Sequence, residues 1–488
     1  MTLVVLLFTL TFLIFKFFKD SELSNITILL SWGVKLFYSF LFYAITVYFY
    51  GNGNLYGDAY MFMDNAYHIN QIAYHYPLEY IKLLFGFADF YNPDLQPFLE
   101  PTNIFLGGVN QYDYMNDNRL IIKINSLIYF ISNGNVLIHL LIHCFISYLG
   151  LFLIFKSTKQ YIANKKWFWW CLIIIPSVGF WGSGLTKGAL LLLFSGLFFY
   201  SIKLIIIKKK ISGVIWMCIS LTGLVFNKPF VSIIIIPLSV YLLIGYLVKW
   251  KTIFIYYLTA LTLIIFSIAI FESTTFKITQ RISFRQNDMI NTGKGGIYFI
   301  NDTAVCYSDY EYINHFERVN DSLIKVNKDV PCHYKLFGTK IFFPFKLKAS
   351  PTLYPHYLSL APSNSYFDVT PINNSPYQLI KNIPQAINDT LVRPYPWDNG
   401  SSLKYFSFLN NLLILLMLFY SIFKRNKNLS NQQKWIVFYL LNVAFFLSLI
   451  IGLTTPVFGA ITRYKMPIDL ILIITSFILL KPLKNEKP

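Results

Sequence analysis

Charge is scarce in this chain. Only 13% of its 488 residues are Asp, Glu, Lys or Arg, where a soluble domain carries about 25%. That shortage excludes an ordinary soluble fold. Acids are the scarcer sign, 23 against 41 basic residues. The chain also lacks the marks of several chemistries: no Walker loop, no dinucleotide-binding glycine pattern, no His-Glu-x-x-His and no Cys-x-x-Cys, so coupling to nucleotide hydrolysis is not supported. The start, Leu3–Phe15, has no basic segment before it and no small-residue cleavage site after it, which argues against a removable signal peptide. No repeat of half the chain length is visible, and no helix shows the chain of buried ionisable residues expected of a proton-coupled transporter.

What is present is apolar length. Hydrophobic residues make up 55% of the chain. Runs of Leu, Ile and Phe approach the roughly 20 residues that span a bilayer. Without a strand-like alternation, these runs predict helices. The expected fold class is an all-α polytopic membrane protein with about eleven transmembrane helices: Leu3–Phe18, Ile28–Tyr50, Val136–Phe155, Trp167–Gly182, Ala189–Ile207, Gly213–Phe226, Pro229–Val248, Ile253–Phe271, Tyr405–Phe423, Trp435–Leu453 and Pro467–Leu480.

The net charge of +18 has a membrane explanation, so no nucleic-acid partner is expected. One set of short connections carries eighteen basic residues, among them Lys16, Lys156, Lys165, Lys208, Lys424 and Lys481, against three acids. The other set carries only Lys187, Lys228, Arg463 and Lys465. The positive-inside rule puts the first set in the cytoplasm of a bacterial inner membrane. The N-terminus is then outside and the C-terminus cytoplasmic.

This topology divides the chain into 1–50 (two helices), 51–135 (a first extracytoplasmic loop), 136–271 (central helices), 272–404 (a second extracytoplasmic loop) and 405–488 (C-terminal helices). The first loop mixes eight carboxylates with many aromatics, which suits helices lying at the interface among membrane lipids. The second is polar and holds seven prolines between Pro344 and Pro384, and reads as an irregular domain. It contains Cys306 and Cys332, which in an oxidising compartment form either a disulfide or two free thiols.

Candidate chemistry gathers at the outer side. Asp58, in Tyr56-Gly57-Asp58-Ala59-Tyr60, and Asp64 after it are carboxylates just above the membrane, placed to act as a base or, at Asp58, to hold a divalent metal. The alternative is an ordinary interfacial acid. Arg463 and Lys465, in Arg463-Tyr464-Lys465-Met466-Pro467, offer a guanidinium fork and a point charge to phosphate, or anchor to lipid headgroups. Lys187 closes the glycine-punctuated run from Phe180. Arg393 opens Arg393-Pro394-Tyr395-Pro396-Trp397-Asp398, a cation beside aromatic planes or a rigid connector.

These motifs together resemble the GT-C superfamily of membrane glycosyltransferases, in an uncharacterised bacterial branch. Gly57-Asp58-Ala59-Tyr60 matches the position of the family's catalytic acid, and Arg463-Tyr464-Lys465-Met466-Pro467 resembles the Arg-Tyr-Arg-x-Pro stretch before a late helix in many bacterial members. The resemblance implies transfer of a sugar from a polyprenyl-phosphate donor to a cell-envelope glycan or lipid. Asp58 and Asp64 would be catalytic, Lys187, Arg393, Arg463 and Lys465 would bind the lipid phosphate or substrate, and a divalent cation could assist. The extra helix Leu3–Phe18 and the large outer domain between helices depart from the family's usual order. An O-antigen or exopolysaccharide polymerase, relying on loop arginines such as Arg281, Arg285 or Arg393, is one alternative. A non-catalytic membrane scaffold is another.

Overall fold

The computed structural model describes residues 2–19, 22–107, 116–206, 208–249, 277–302, 304–336 and 343–481. The expected helix Ile253–Phe271 lies outside the described residues. The chain forms two compact units. The first comprises Met1–Ile253, Ile414–Ala444 and Met466–Pro488, the second Phe254–Leu413 and Phe445–Lys465.

Two expectations about fold class are corrected. The protein is not all-α, and among the described residues six helices, not eleven, are long and apolar enough to cross a membrane. These are Asn25–Phe49, Val136–Tyr161, Lys187–Ile206, Pro229–Leu247, Lys404–Phe423 and Asn431–Thr454. Three of the other expected spans are apolar but short: α1 (Thr2–Phe18), Ser212–Asn227 and Met466–Leu479. Another, Trp167–Gly182, breaks in two at Ile175. Pro176 there cannot donate a backbone hydrogen bond and pushes the residue before it out of the helical region, and Ile175 has φ −56° and ψ 120°.

In the first unit, α2 (Asn25–Ala44) ends in a π turn at Ile45–Phe49. The first loop is a folded module: α3 (Asp58–His75), α4 (Pro77–Phe85), the single turns α5 (Gln96–Leu99) and α6 (Asn103–Leu106), and α7 (Arg119–Ser132). Residues Phe62, Ala66, Ile69 and Ile72 recur at helical spacing on α3 and bury against Leu83, Leu99, Ile121 and Ile122. The opposite face exposes Tyr60, Tyr67 and Tyr74. Asn65 accepts the buried Phe105 N–H at 3.1 Å, and Asn70 donates to Ser126 O at 2.9 Å.

The central helices follow: α8 (Val136–Thr158), α9 (Lys165–Ile174), α10 (Pro176–Ser183), α11 (Lys187–Ile206), α12 (Ser212–Asn227) and α13 (Pro229–Leu247). A Cβ on Gly196 would lie 2.3 Å from Gly150 O, so only glycine lets α8 and α11 meet backbone to backbone. In a bilayer, where lipid is as apolar as leucine, such close packing drives association.

The second unit carries α14 (Ile278–Lys294) and seven strands: β1 (Gly296–Asn301), β2 (Ala304–Asp309), β3 (Phe316–Arg318), β4 (Leu323–Val326), β5 (Val330–Leu336), β6 (Phe343–Leu347) and β7 (Ser350–Leu360). They form one sheet in the order β3-β4-β7-β1-β2-β5-β6, every pairing antiparallel. Its prolines sit where a strand has one partner only. Pro351 and Pro355 lie in the half of β7 that pairs with β4, while β1 takes His356–Leu360. A missing N–H therefore breaks no ladder.

Cys306 and Cys332 are both buried in the core of this sheet, and both are free thiols. Register explains why. Cys306 sits opposite Tyr334, so Cys332 is its diagonal neighbour, about 7–8 Å away by ordinary sheet geometry, where a disulfide needs Cα atoms within about 6.8 Å. Burial pushes each thiol up to about 12, which suppresses the thiolate that oxidation requires. The melting temperature of the purified protein is accordingly expected to be the same with and without dithiothreitol. A drop on reduction would show that a bond forms.

The remaining helices are α15 (Pro376–Lys381), α16 (Ile383–Leu391), α17 (Lys404–Phe423), α18 (Asn431–Thr454), α19 (Phe458–Tyr464) and α20 (Met466–Leu479).

Candidate functional site

Asp58 is the first residue of α3. It follows Gly57, whose φ of +66° and ψ of −145° lie where a side chain is strained. The Gly57-Asp58 pair thus turns the chain sharply and puts a carboxylate on a helix N-terminus, where the backbone dipole favours negative charge. Asp58 is exposed and Asp64 half-buried. Six residues on one helix separate them by about 120° around the axis and about 9 Å along it. The two acids therefore do not converge on one cation. Among the described residues no three His, Cys, Asp or Glu side chains gather to hold a metal, and the site does not fit the divalent ion that the resemblance implied. Asp64 sits beside Tyr129, which donates to Met63 O at 3.1 Å. Burial, then the Asp64 carboxylate and Tyr67, push the Tyr129 phenol up to about 12.

Two of the sequence motifs meet. Ala59 and Met63 at the head of α3 pack with Leu185, Phe42 and Leu140 in one small core, flanked by Phe180 and Trp181. Asp58 and Lys187 are thus each within two residues of the same cluster. Lys187 opens α11, and its Nζ lies 2.6 Å from Asp117 Oδ1. A cation at a helix N-terminus opposes the dipole, and Asp117 offsets that. Asn227, fully buried at the end of α12, donates to Lys187 O at 3.0 Å. Lys228 follows it, its Nζ 5.6 Å from the Phe230 ring centre.

In the second unit, Arg393 is engaged by acids. Its Nη2 and Nε donate to the two oxygens of Asp398 at 2.7 and 3.1 Å, and its Nη1 reaches Asp389 Oδ1 at 3.4 Å. The guanidinium carbon lies 4.5 Å from the Phe367 ring centre and 5.2 Å from that of Phe458. Burial raises the Asp389 carboxyl, and Arg393 only partly offsets it. For Asp398 burial also pulls upward, but the bonds from Arg393 and the Tyr395 N–H win, and its pKa is lowered. Lys465 is 1% exposed and donates to Asn411 Oδ1. The same Asn411 donates to Val392 O at 3.2 Å and Arg393 O at 2.7 Å, so Arg393 and Lys465 are joined through a residue that the sequence did not single out. Arg463 Nη2 reaches Tyr464 OH at 3.4 Å.

A third group lies among buried helices. Lys35, His139 and His143 are all 0% exposed. The signal was a period of four. Ser31, Lys35 and Ser39 make one polar stripe on α2, and His139, His143 and Ser147 make another on α8. These helices touch, with Ser31 Oγ 2.7 Å from Tyr148 OH. His139 bonds to Ser132 Oγ at 2.8 Å and to Asn125 Oδ1 at 2.8 Å, and His143 Nε2 lies 3.1 Å from the same Oδ1.

No protein-family model, curated protein or solved structure matches this chain.

Proposed function

We propose that the chain is a membrane glycosyltransferase of the GT-C kind. In this reading it moves a sugar from a polyprenyl-phosphate donor to a cell-envelope acceptor on the outer face of a bacterial inner membrane, with its N-terminus outside and its C-terminus cytoplasmic. The observation that carries the reading is the shared core of Ala59 and Leu185, which gathers an exposed carboxylate, Asp58, and a cation, Lys187, beside one cluster. Asp58 would take the proton of the acceptor hydroxyl. Lys187 would stabilise the departing phosphate, exchanging Asp117 for the ligand. Six apolar helices of spanning length suit a chain embedded in the bilayer, where such a lipid donor dissolves. Of the arginines a polymerase would use, Arg393 is held by Asp389 and Asp398, while Arg285 makes an exposed pair with Asp288 at 2.6 Å.

Binding of polyprenyl phosphate to the purified protein tests this reading. Lys187→Met is expected to weaken it tenfold or more, since a hydrogen bond to a charged group is worth about 1.5–3 kcal/mol. Asp58→Asn is expected to bind as wild type does. A folded wild-type preparation that does not bind the lipid would point to the scaffold instead.

A further inference from the structure

The lysine-rich end of the first unit holds a cleft that sugar transfer does not use. Among the described residues it is walled by the last turns of α8 and α11, by α13, by the first turns of α18 and by α20. Every wall residue belongs to the same compact unit. The wall changes character along its length. Tyr161, Lys203 and Gln432 line one end, and Phe199, Ile436 and Leu440 line the rest. Gln432 and Leu440 lie about 12 Å apart along α18, so the apolar part is deep.

The uncharged polar groups are bonded within the protein. Gln432 Nε2 donates to Tyr161 OH at 3.0 Å. The hydroxyls of Ser157 and Thr158 donate to Leu153 O and Ile154 O, one turn back on α8, at 2.5 and 2.8 Å. The cation differs. Lys203 Nζ donates to Lys156 O at 2.6 Å, in the last turn of α8, where a helix leaves carbonyls unpaired. That bond holds the amine at the cleft and uses one of its three N–H donors. The acid in its field is Glu22, which Lys159 and Lys165 already hold at 2.8 and 3.0 Å. Lys156, Lys159 and Lys208 add charge of the same sign.

A surplus of positive charge beside an apolar cleft fits an amphiphile with a negative head. A free anion would leave the apolar wall uncovered, and an acyl chain alone would leave the lysines unanswered. A zwitterionic lipid would bring its own cation to the cluster. Basic pockets between membrane helices take anionic headgroups for these reasons. We propose that the cleft binds one phospholipid of net negative charge, with its phosphate on Lys203 and one acyl chain running beside α18 toward Leu440. The site is separate from the one at Lys187. The two lysines stand at opposite ends of α11, about 24 Å apart along its axis, so one headgroup cannot use both.

Photo-cross-linking of the purified full chain in mixed detergent–lipid micelles tests this. The probes are phosphatidylglycerol and phosphatidylcholine, each carrying a diazirine in its acyl chain, at equal mole fraction. Peptide mass spectrometry reads where each attaches. Phosphatidylglycerol is expected to label residues 199–206 and 432–440, which carry the cleft, about tenfold more than phosphatidylcholine does. Lys203→Met is expected to cut that labelling about tenfold, the worth of a hydrogen bond to a charged group. Lys166→Met removes the same charge from an exposed position and is expected to leave the labelling unchanged. Ile436→Trp, which fills the apolar part and keeps the lysine, is expected to reduce it. If the lysine variant does not fold, the two lipids compared on the wild type decide the matter. Equal labelling by both lipids, undiminished labelling of folded Lys203→Met protein, or no labelling of these segments would overturn the proposal, the last by giving the cleft to another occupant.

Discussion

Asp58→Asn is expected to lower the proposed sugar transfer by about 10²–10⁴-fold, the range in which a positioned general base acts, while the protein inserts and folds as before. The expectation rests on where the side chain sits. Asp58 is exposed at the head of α3, and asparagine has nearly the same shape, so no packing is lost. The lost attraction between a carboxylate and a helix N-terminus is worth only about 0.3–1 kcal/mol. Asp64→Asn is expected to change the rate far less, because Asp64 lies about 120° around the helix from Asp58. The comparison separates chemistry from stability: a single-turnover assay with a polyprenyl-phosphate sugar reads the first, and detergent-phase thermal unfolding reads the second. An Asp58→Asn protein with undiminished turnover would remove the acid from the proposed mechanism.

How far the sequence could be read depends on which physical signal was strongest. The long apolar helices were legible because bilayer thickness sets a length that composition alone reveals. The same signal overcounted where apolar character persisted but length did not, as in Met466–Leu479, or where Pro176 cut one run into α9 and α10. The sheet was missed because its prolines and polar residues read as irregular chain. Its period of two is nevertheless present in β5, where Val330 and Cys332 are buried and Pro331 and His333 exposed. The prolines mislead because β7 changes partner along its length, a tertiary fact that no local propensity encodes. Asp58 and Lys187 were both legible as singular residues. That they share one core was not, since it depends on Ala59 and Leu185, ordinary apolar residues more than a hundred positions apart. Lys35 was overlooked because one lysine in an apolar run reads as a tolerated exception. Only the fourfold spacing with Ser31 and Ser39, matched on α8, marks it as part of a polar seam.

The second large effect falls on stability. Arg393→Ala is expected to destabilise the protein by about 3–5 kcal/mol, as removal of one partner from a buried ion pair generally does. The side chain of Asp389 is 2% exposed and that of Asp398 8%, so both carboxylates would be left in a poorly solvated place. Two aromatic rings, Phe367 and Phe458, would also lose the guanidinium packed against them. Arg393→Lys is expected to recover only part of the loss, because an ammonium cannot make the two parallel bonds to Asp398. The pH dependence follows from the signs. The pKa of Asp398 is depressed in the folded state, so its contribution is present above the ordinary carboxylate range and disappears as pH falls through the depressed value. The pKa of Asp389 is raised, so its contribution runs the other way, largest when protonated and lost as pH rises through the raised value. Wild-type protein should therefore lose the Asp398 share of stability on acidification, and Arg393→Ala should lose less of it, since the partner that depressed the pKa is gone. Thermal unfolding in detergent across the acidic range, read by near-ultraviolet circular dichroism, measures both the offset and the slope. An Arg393→Ala protein that melts with the wild type at neutral pH would mean that the pair is no stabilising element, and would free the arginine for the phosphate-binding role that its two acids now argue against.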